Sequence, residues 1–165
     1  MHYKDVYLSL GSNIGSKREN IKKALTLLDD DKNVEIAHTS SLYETKPWGY
    51  IDQPNFYNCV SQINTNYEPI ELLRLIQTIE TKMGRIKNKK WGPRIIDIDI
   101  ILFENIISNS SDLTIPHPWM GKRAFVLFPL MELNNEIMHP ISKRGIAEFA
   151  EVVGGEGLKK VGRVV

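Results

Sequence analysis

Apolar residues repeat every second position in some segments of this chain and every third or fourth in others. The order in which the two patterns alternate leaves few folds open. Val6 to Leu10 has the short period of a strand and ends at Gly11. The run SKRENIKKALTLLDDD follows, with Ile21, Ala24, Leu25 and Leu28 on one helical face and Ser16 and Glu19 spaced as a capping box. Val34, Ile36 and the stretch to Tyr43 suit a second strand, and Phe56 to Asn64 a third. A second helix runs through EPIELLRLIQTIETKMG. Pro69 stands in its first turn, Gly84 at its end, and Leu72, Leu73, Ile76, Ile79 and Met83 on its apolar face, with Gln77 and Glu80 at the edge of that face. A polar loop, RIKNKKWGPR, then leads into a strand from Ile95 to Phe103.

Strand, helix, strand, strand, helix, strand is the ferredoxin-like βαββαβ order. The expected class is therefore α+β, with an antiparallel sheet and helices on one face. From Glu104 onward the pattern suggests an added hairpin, an irregular segment LTIPHPWM, a helical stretch from Ala124 to Glu132 and a C-terminal amphipathic piece. The tail GGEGLKKVGRVV has the least pattern. No linker or repeat divides the 165 residues, so one domain over 1–165 is expected. A formal net charge of +1 argues against a nucleic-acid or membrane-surface protein, unless charge is clustered locally. No apolar run is long enough to span a membrane, and the first residues lack the pattern of a secretory leader. Cys59 is the only cysteine, which excludes an internal disulfide and fits a reducing, cytoplasmic setting. Within its apolar stretch it reads as a small buried hydrophobe.

The last strand holds the chemistry. Asp97 and Asp99 interrupt an otherwise apolar run, WGPRIIDIDIILF. Strand residues two apart share a face, about 6.5–7 Å from one another. Two carboxylates that close raise each other's pKa unless a cation lies between them. Magnesium commonly uses one or two carboxylates plus substrate phosphates. A strand with one wet face would carry the same pattern, and for a bare D-x-D that is the better default. The flanks shift the balance. Arg85, Lys87, Lys89, Lys90 and Arg94 lead directly to the pair, with Trp91 among them. A polyphosphate carrying magnesium needs both halves: carboxylates for the metal, and cations for the remaining phosphate charge.

Downstream, IPHPWMGKRAF supplies His117, Lys122 and Arg123, and Pro116 and Pro118 fix the backbone around the imidazole. GSNIGSK fails as a P-loop: three residues, not four, separate Gly11 from Gly15, and Ser16 precedes Lys17. A turn and helix cap is the better reading. The loop TKPWGYIDQPNFYN is long enough to be a lid or binding loop. Its Trp48, Phe56 and Asn58 would suit a flat heterocycle, although Phe56 taken alone reads as core.

Taken together, SLGSNIGSKRENI, SSLYETKPWGYIDQPNFYNCV, IETKMGR, WGPRIIDIDIILF and LTIPHPWMGKRAFVLFPLMEL resemble the 6-hydroxymethyl-7,8-dihydropterin pyrophosphokinase family, from about Val6 to His139. The resemblance implies an enzyme of folate biosynthesis that uses ATP and magnesium to move a pyrophosphoryl group onto the pterin hydroxymethyl oxygen, leaving AMP. It implies that Asp97 and Asp99 hold two Mg²⁺ ions and that Arg85 and Arg94 act on the phosphates. Gln77, Glu80, Lys87, Lys90, Trp91, Arg94, Ile100, Thr114, His117 and Arg123 would bind ATP. Gly11, Thr45, Trp48, Phe56, Asn58, Trp91 and Phe125 would bind the pterin, its ring stacked between Phe56 and Phe125. Lys87 and Lys90 stand where the family often has arginine, which keeps the charge and loses the bidentate fork. Trp48, Lys46 and Trp119 also depart from common family residues and read as tuning. A monomer acting on small molecules is expected.

Two other classes share parts of the pattern. An RNA-binding module of the same strand order needs stacking aromatics that FYNCVSQIN does not supply. A D-x-D nucleotidyltransferase would place a Gly-Ser pair shortly before the aspartates, whereas Gly11 and Ser12 lie far upstream.

Overall fold

The computed structural model describes residues 1–47, 49, 51–86 and 92–164. The elements are β1 (Tyr3–Ser12), α1 (Lys17–Asp29), β2 (Val34–Thr39), β3 (Tyr43–Thr45), β4 (Phe56–Thr65), α2 (Pro69–Lys82), β5 (Asp97–Phe103), β6 (Ser108–Asn109), β7 (Thr114–Ile115), a 3-10 turn at Met120–Lys122, α3 (Ala124–Leu133), α4 (Ile146–Val153) and β8 (Lys159–Lys160). The main sheet runs β5-β1-β4-β3-β8, and β2 pairs with β4 beside β3. Every pairing is antiparallel. Counting β2 and β3 as one interrupted strand gives the ferredoxin-like order. The interruption, at Ser40 to Leu42, is what the sequence pattern missed.

α1 and α2 cover one face. Ile21, Ala24 and Leu28 of α1 and Leu72, Ile76 and Ile79 of α2 pack on Val6, Leu8, Leu10, Ile98 and Ile100. α2 starts as its sequence implies, with Pro69 at its first turn and a reciprocal capping box between Glu68 and Glu71. Gly84, with φ of +89°, takes the left-handed turn that ends it. The capping box expected at the start of α1 does not form: the Ser16 side chain makes no cap bond. Asn20 holds that turn instead, donating from its amide to the Ile14 carbonyl (2.8 Å) and Ser12 Oγ (3.2 Å).

The two helices of the core lie on one face, as expected. The added C-terminal helical segments, α3 and α4, cover part of the other, where Val126, Leu127, Leu130, Ile146 and Ala150 pack on Tyr7, Val60, Ile101 and Leu102. A bulge explains how β5 serves both layers. Tyr7 pairs with Leu102 and Leu8 with Ile100, leaving Ile101 as the extra residue. Ile98 and Ile100 thus face α1 and α2, while Ile101 and Leu102 join the second layer. β5 is an edge strand, and two of its outward backbone groups are taken up. The Ile98 N–H donates to Glu80 of α2 at 2.9 Å, and the His117 N–H donates to the Ile101 carbonyl at 3.0 Å.

The hairpin expected after Glu104 is β6 and β7. The tail, which showed least pattern, is ordered. Tyr43 and Glu44 of β3 pair with Lys160 and Lys159 of β8, Leu42 exchanges backbone bonds with Val161 and Gly162, and Val164 is buried. Cys59 is fully buried, and burial pushes its thiol up to about 12, so it is inert at neutral pH. Among the described residues, no helix is long and apolar enough to cross a membrane.

Candidate active site

On the face of the sheet away from α1 and α2, strand register lays out the floor of a site. Asp97 of β5 stands opposite Gly11 of β1, Gly11 opposite Asn58 of β4, and Asn58 opposite Tyr43 of β3. One row over, Asp99 faces Ser9. Two adjoining cavities sit on this floor. The first is lined by Gly11, Thr45, Phe56, Asn58 and Phe125, with Ser9 and Lys46. The second is lined by Arg85, His117, Pro118 and Trp119. Arg94, Asp97, Asp99 and Arg123 line both.

The first cavity offers ring surfaces and one amide. Asn58 is 3% exposed, and its buried Nδ2 donates to no partner among the described residues. Such a donor costs free energy unless a ligand accepts from it. Gly11 allows the arrangement: a Cβ there would lie 2.6 Å from Asn58 Oδ1 and 3.6 Å from Phe56. Arg123, in the wall, lies 5.5 Å from the centroid of the Phe125 ring.

The second cavity is built of charge. Asp97 accepts from Arg94 Nη1 at 2.8 Å and from Arg85 Nη2 at 3.3 Å, and Arg85 Nε also lies 3.8 Å from Glu80. Burial, with Asp97 adding repulsion, pushes the Asp99 carboxyl up to about 8. Burial likewise pushes Glu80 up to about 7, against the hydrogen bond from Ile98. Burial, aided by Arg123, holds His117 down to about 4, so the imidazole is neutral near pH 7. The Trp119 N–H donates to His117 Nδ1 at 3.1 Å, which leaves Nε2 to carry the proton.

One further residue holds these parts together, and the sequence reading passed over it. Asn13 is 1% exposed. It accepts the Arg94 N–H on Oδ1 (2.8 Å), donates its own N–H to the Arg94 carbonyl (3.1 Å), and donates from Nδ2 to Gln53 and the Pro54 carbonyl. It thereby pins the end of β1 to the arginine of the second cavity and to the loop leading into β4. An asparagine beside two tight-turn glycines was read as a turn, and nothing local marks it as a tie. Ser9 and Lys46 were missed as well. Ser9 was legible by alternation, since it shares a face with Gly11.

Of the expected residues, Gly11, Thr45, Phe56, Asn58 and Phe125 converge on the first cavity, and Arg85, Arg94, Asp97, Asp99, His117 and Arg123 on the second. Glu80 adjoins through Arg85. Gln77 lies on an exposed groove of α2 with Arg74, Thr78, Thr81 and Lys82, and Thr114 is exposed on β7. Ile100 is 4% exposed and packs in the core beneath α1 and α2, so its side chain reaches neither cavity. Trp48, Lys87, Lys90 and Trp91 lie outside the described residues. Among the described residues, no group of three or more histidine, cysteine or acidic side chains could hold a metal ion unaided.

A ferredoxin-like sheet with a ring-lined cavity opening onto a chamber of arginines and paired carboxylates defines a small-molecule site with a polyanion-binding half. The chain belongs to the 7,8-dihydro-6-hydroxymethylpterin-pyrophosphokinase family, whose model matches residues 7–135. The 2-amino-4-hydroxy-6-hydroxymethyldihydropteridine pyrophosphokinase of Aquifex aeolicus is 42% identical over 87% of this chain and 89% of its own length. That of Bacillus subtilis is 43% identical over 79% of this chain and 78% of its own length. The folic acid synthesis protein fol1 of Schizosaccharomyces pombe is 44% identical over 94% of this chain, which spans only 21% of that protein. In fold, the chain matches a Plasmodium falciparum HPPK-DHPS crystal structure at a TM-score of 0.76 and 17% identity, covering 96% of this chain and 48% of that one.

Proposed function

We propose that the chain transfers the pyrophosphoryl group of ATP to 6-hydroxymethyl-7,8-dihydropterin, giving AMP and the pterin diphosphate in folate biosynthesis. The observation that carries this reading is the pair of cavities sharing Arg94, Asp97, Asp99 and Arg123. A flat heterocycle fits one and a triphosphate the other, and the groups that meet the reacting phosphates stand where the two join.

In the first cavity the pterin stacks between Phe56 and Phe125, accepts from Asn58 Nδ2, and lies against Gly11 and Thr45. Its hydroxymethyl oxygen then points to the shared wall. In the second, Arg85, Arg94 and Arg123 take up phosphate charge, and neutral His117 donates from Nε2. Glu80 adjoins the nucleotide site through Arg85, and Gln77, Ile100 and Thr114, which line neither cavity, are assigned to it by the family motif alone. Lys87, Lys90, Trp91 and, for the pterin, Trp48 and Trp91 are assigned by motif alone.

The donor set fits magnesium. Two hard oxygen ligands share a face, one of them with its carboxyl pushed up by burial and by its neighbour Asp97, and the nucleotide's phosphates would supply the ligands that the protein lacks. Asp97 and Asp99 would hold two Mg²⁺ ions, which when bound neutralise charge on the α and β phosphates. Asp97 now pairs with Arg94 and Arg85. Substrate binding would exchange these partners: Arg85 and Arg94 would turn to phosphate and leave the Asp97 carboxylate free to hold a metal ion. The hydroxymethyl oxygen attacks the β phosphorus and gives up its proton to solvent, the bond from that phosphorus to the oxygen bridging the α phosphorus breaks, and AMP leaves. In such a transfer the protein mainly positions groups and neutralises charge. One catalytic unit over residues 1–165, acting as a cytoplasmic monomer, completes the proposal, and the unpaired, buried Cys59 fits a reducing compartment.

Incubation with ATP, magnesium and the reduced pterin alcohol tests the reading. AMP formed in step with pterin diphosphate supports it, and ADP or free pyrophosphate as the nucleotide-derived product overturns it. Two variants test the first cavity. Phe125→Ala is expected to raise the pterin KM about tenfold and leave the ATP KM within about twofold, since one stacking face is lost. An unchanged pterin KM would remove Phe125 from the pocket. Gly11→Ala is expected to raise the pterin Kd at least about tenfold, because the added methyl forces Asn58 aside. Wild-type binding by titration calorimetry would show that Asn58 does not contact the ring.

A further inference from the structure

Outside both cavities, one carboxylate gathers more partners than its place at the end of a helix requires. Glu132, in the last turn of α3, accepts from the Ser41 N–H (2.8 Å), Ser41 Oγ (3.1 Å) and Tyr43 Oη (2.7 Å). From the C-terminal tail, Lys160 Nζ lies 3.6 Å and Arg163 Nη2 3.9 Å away. Burial alone would push this carboxyl up, but the Tyr43 and Ser41 hydrogen bonds with Lys160 outweigh it and hold it below the usual carboxylate range. The two lysine and arginine contacts are exposed and add little. The three hydrogen bonds come from residues that are themselves buried, Ser41 at 5% and Tyr43 at 8% exposure.

What these bonds hold is the interrupted strand. Ser40 still donates its N–H to the Val60 carbonyl of β4 (2.9 Å), the pairing lapses over Ser41 and Leu42, and β3 resumes it for three residues only. Tyr43 stands directly across from Asn58, and Thr45 across from Phe56. Thr45 and Lys46 continue into the cavity wall. β3 is three residues long and is held at its edges by β4 and by the two-residue β8; across its face, on the α3 side, Glu132 anchors it.

We propose that Glu132 is a positioning residue for the pterin half of the site. It fixes β3 through Ser41 and Tyr43, and so sets Thr45 and the Asn58–Phe56 edge at the spacing the ring requires. It touches neither substrate. The inference rests on the function proposed above, and its test separates the two.

Steady-state kinetics and amide hydrogen exchange are measured on the full chain as wild type, Glu132→Gln, Glu132→Ala and Tyr43→Phe. Glu132→Ala is expected to raise the pterin KM about tenfold, as for loss of a hydrogen-bonded charge, with the ATP KM and kcat at saturation unchanged. Glu132→Gln, which keeps one acceptor, should recover part of that loss. Tyr43→Phe, which removes one bond at little risk to folding, should raise the pterin KM a few-fold. Exchange should quicken at residues 43–46 and stay as in wild type along β1 and β5. A general structural role would instead lower kcat or raise both KM values together. Either that pattern or unchanged exchange at 43–46 overturns the proposal. If wild type itself forms no AMP from the pterin alcohol, the proposed function fails. Quickened exchange at 43–46 then supports the anchoring by Glu132, and unchanged exchange overturns it.

Discussion

Asp99→Asn is expected to abolish turnover, a loss of at least about a thousandfold, and at the same time to raise the melting temperature of the ligand-free protein. The two effects share a cause. Asp99 is held in a buried place beside Asp97, and its carboxyl is pushed up to about 8. The folded state therefore binds more protons than the unfolded state between the ordinary carboxylate range and about 8. Where the folded state holds the extra proton, stability falls as pH rises. Without ligand, the wild type should lose stability across that window, and magnesium with nucleotide should restore it. An amide has no charge to strand, so the variant should melt higher at the alkaline end and show a shallower slope. Glu80, raised to about 7, contributes to the slope in both proteins, and its repulsion with Asp99 is relieved in the variant, which flattens the slope further. Thermal scans across pH, paired with an AMP assay, provide the check. A variant that melts below wild type at the alkaline end would show that Asp99 is structural.

Arg94→Ala is expected to lower kcat about a hundredfold to a thousandfold while changing the ATP KM by no more than a few-fold. In the ligand-free protein the guanidinium lies 2.8 Å from Asp97, a contact it must give up before it can serve the phosphates. Energy spent leaving the carboxylate offsets energy gained on ground-state phosphate. The net gain thus appears chiefly where charge has spread over the transferring group. The backbone of residue 94 is held on both sides by Asn13, so the truncation should leave the fold intact. Arg94→Lys should recover only part of the rate, because the charge returns without the planar fork. Equal losses in kcat/KM and in ATP affinity would make Arg94 a plain binding group.

Much of this was legible in the sequence because the fold obeys periodicity. The alternation around Asp97 and Asp99 put both carboxylates on one face, and Pro69 and Gly84 marked the limits of α2. Of the cations ahead of β5, Arg85 and Arg94 meet at Asp97. Less legible was anything that depends on one side chain satisfying a distant backbone. Asn13 reaches residue 94, and Glu132 reaches Ser41. Both are unremarkable in their local context, and only tertiary proximity gives them partners. The bulge at Ile101 escaped notice for a related reason, since a run of apolar residues looks the same whether it serves one layer or two. The tail showed no period because a two-residue strand held by backbone bonds needs none.

A strand at the rim of a sheet offers bare N–H and C=O groups to any other extended chain, the usual route by which sheets join end to end and precipitate. In this protein the rim strand is also the one that carries Asp97 and Asp99. The Glu80 carboxylate on the Ile98 N–H and the His117 N–H on the Ile101 carbonyl fill two of its outer positions and so hinder another chain from pairing along the strand that carries the two carboxylates. Glu80 thereby joins solubility to chemistry, and a change made there to probe the nucleotide should be read alongside the protein's tendency to aggregate.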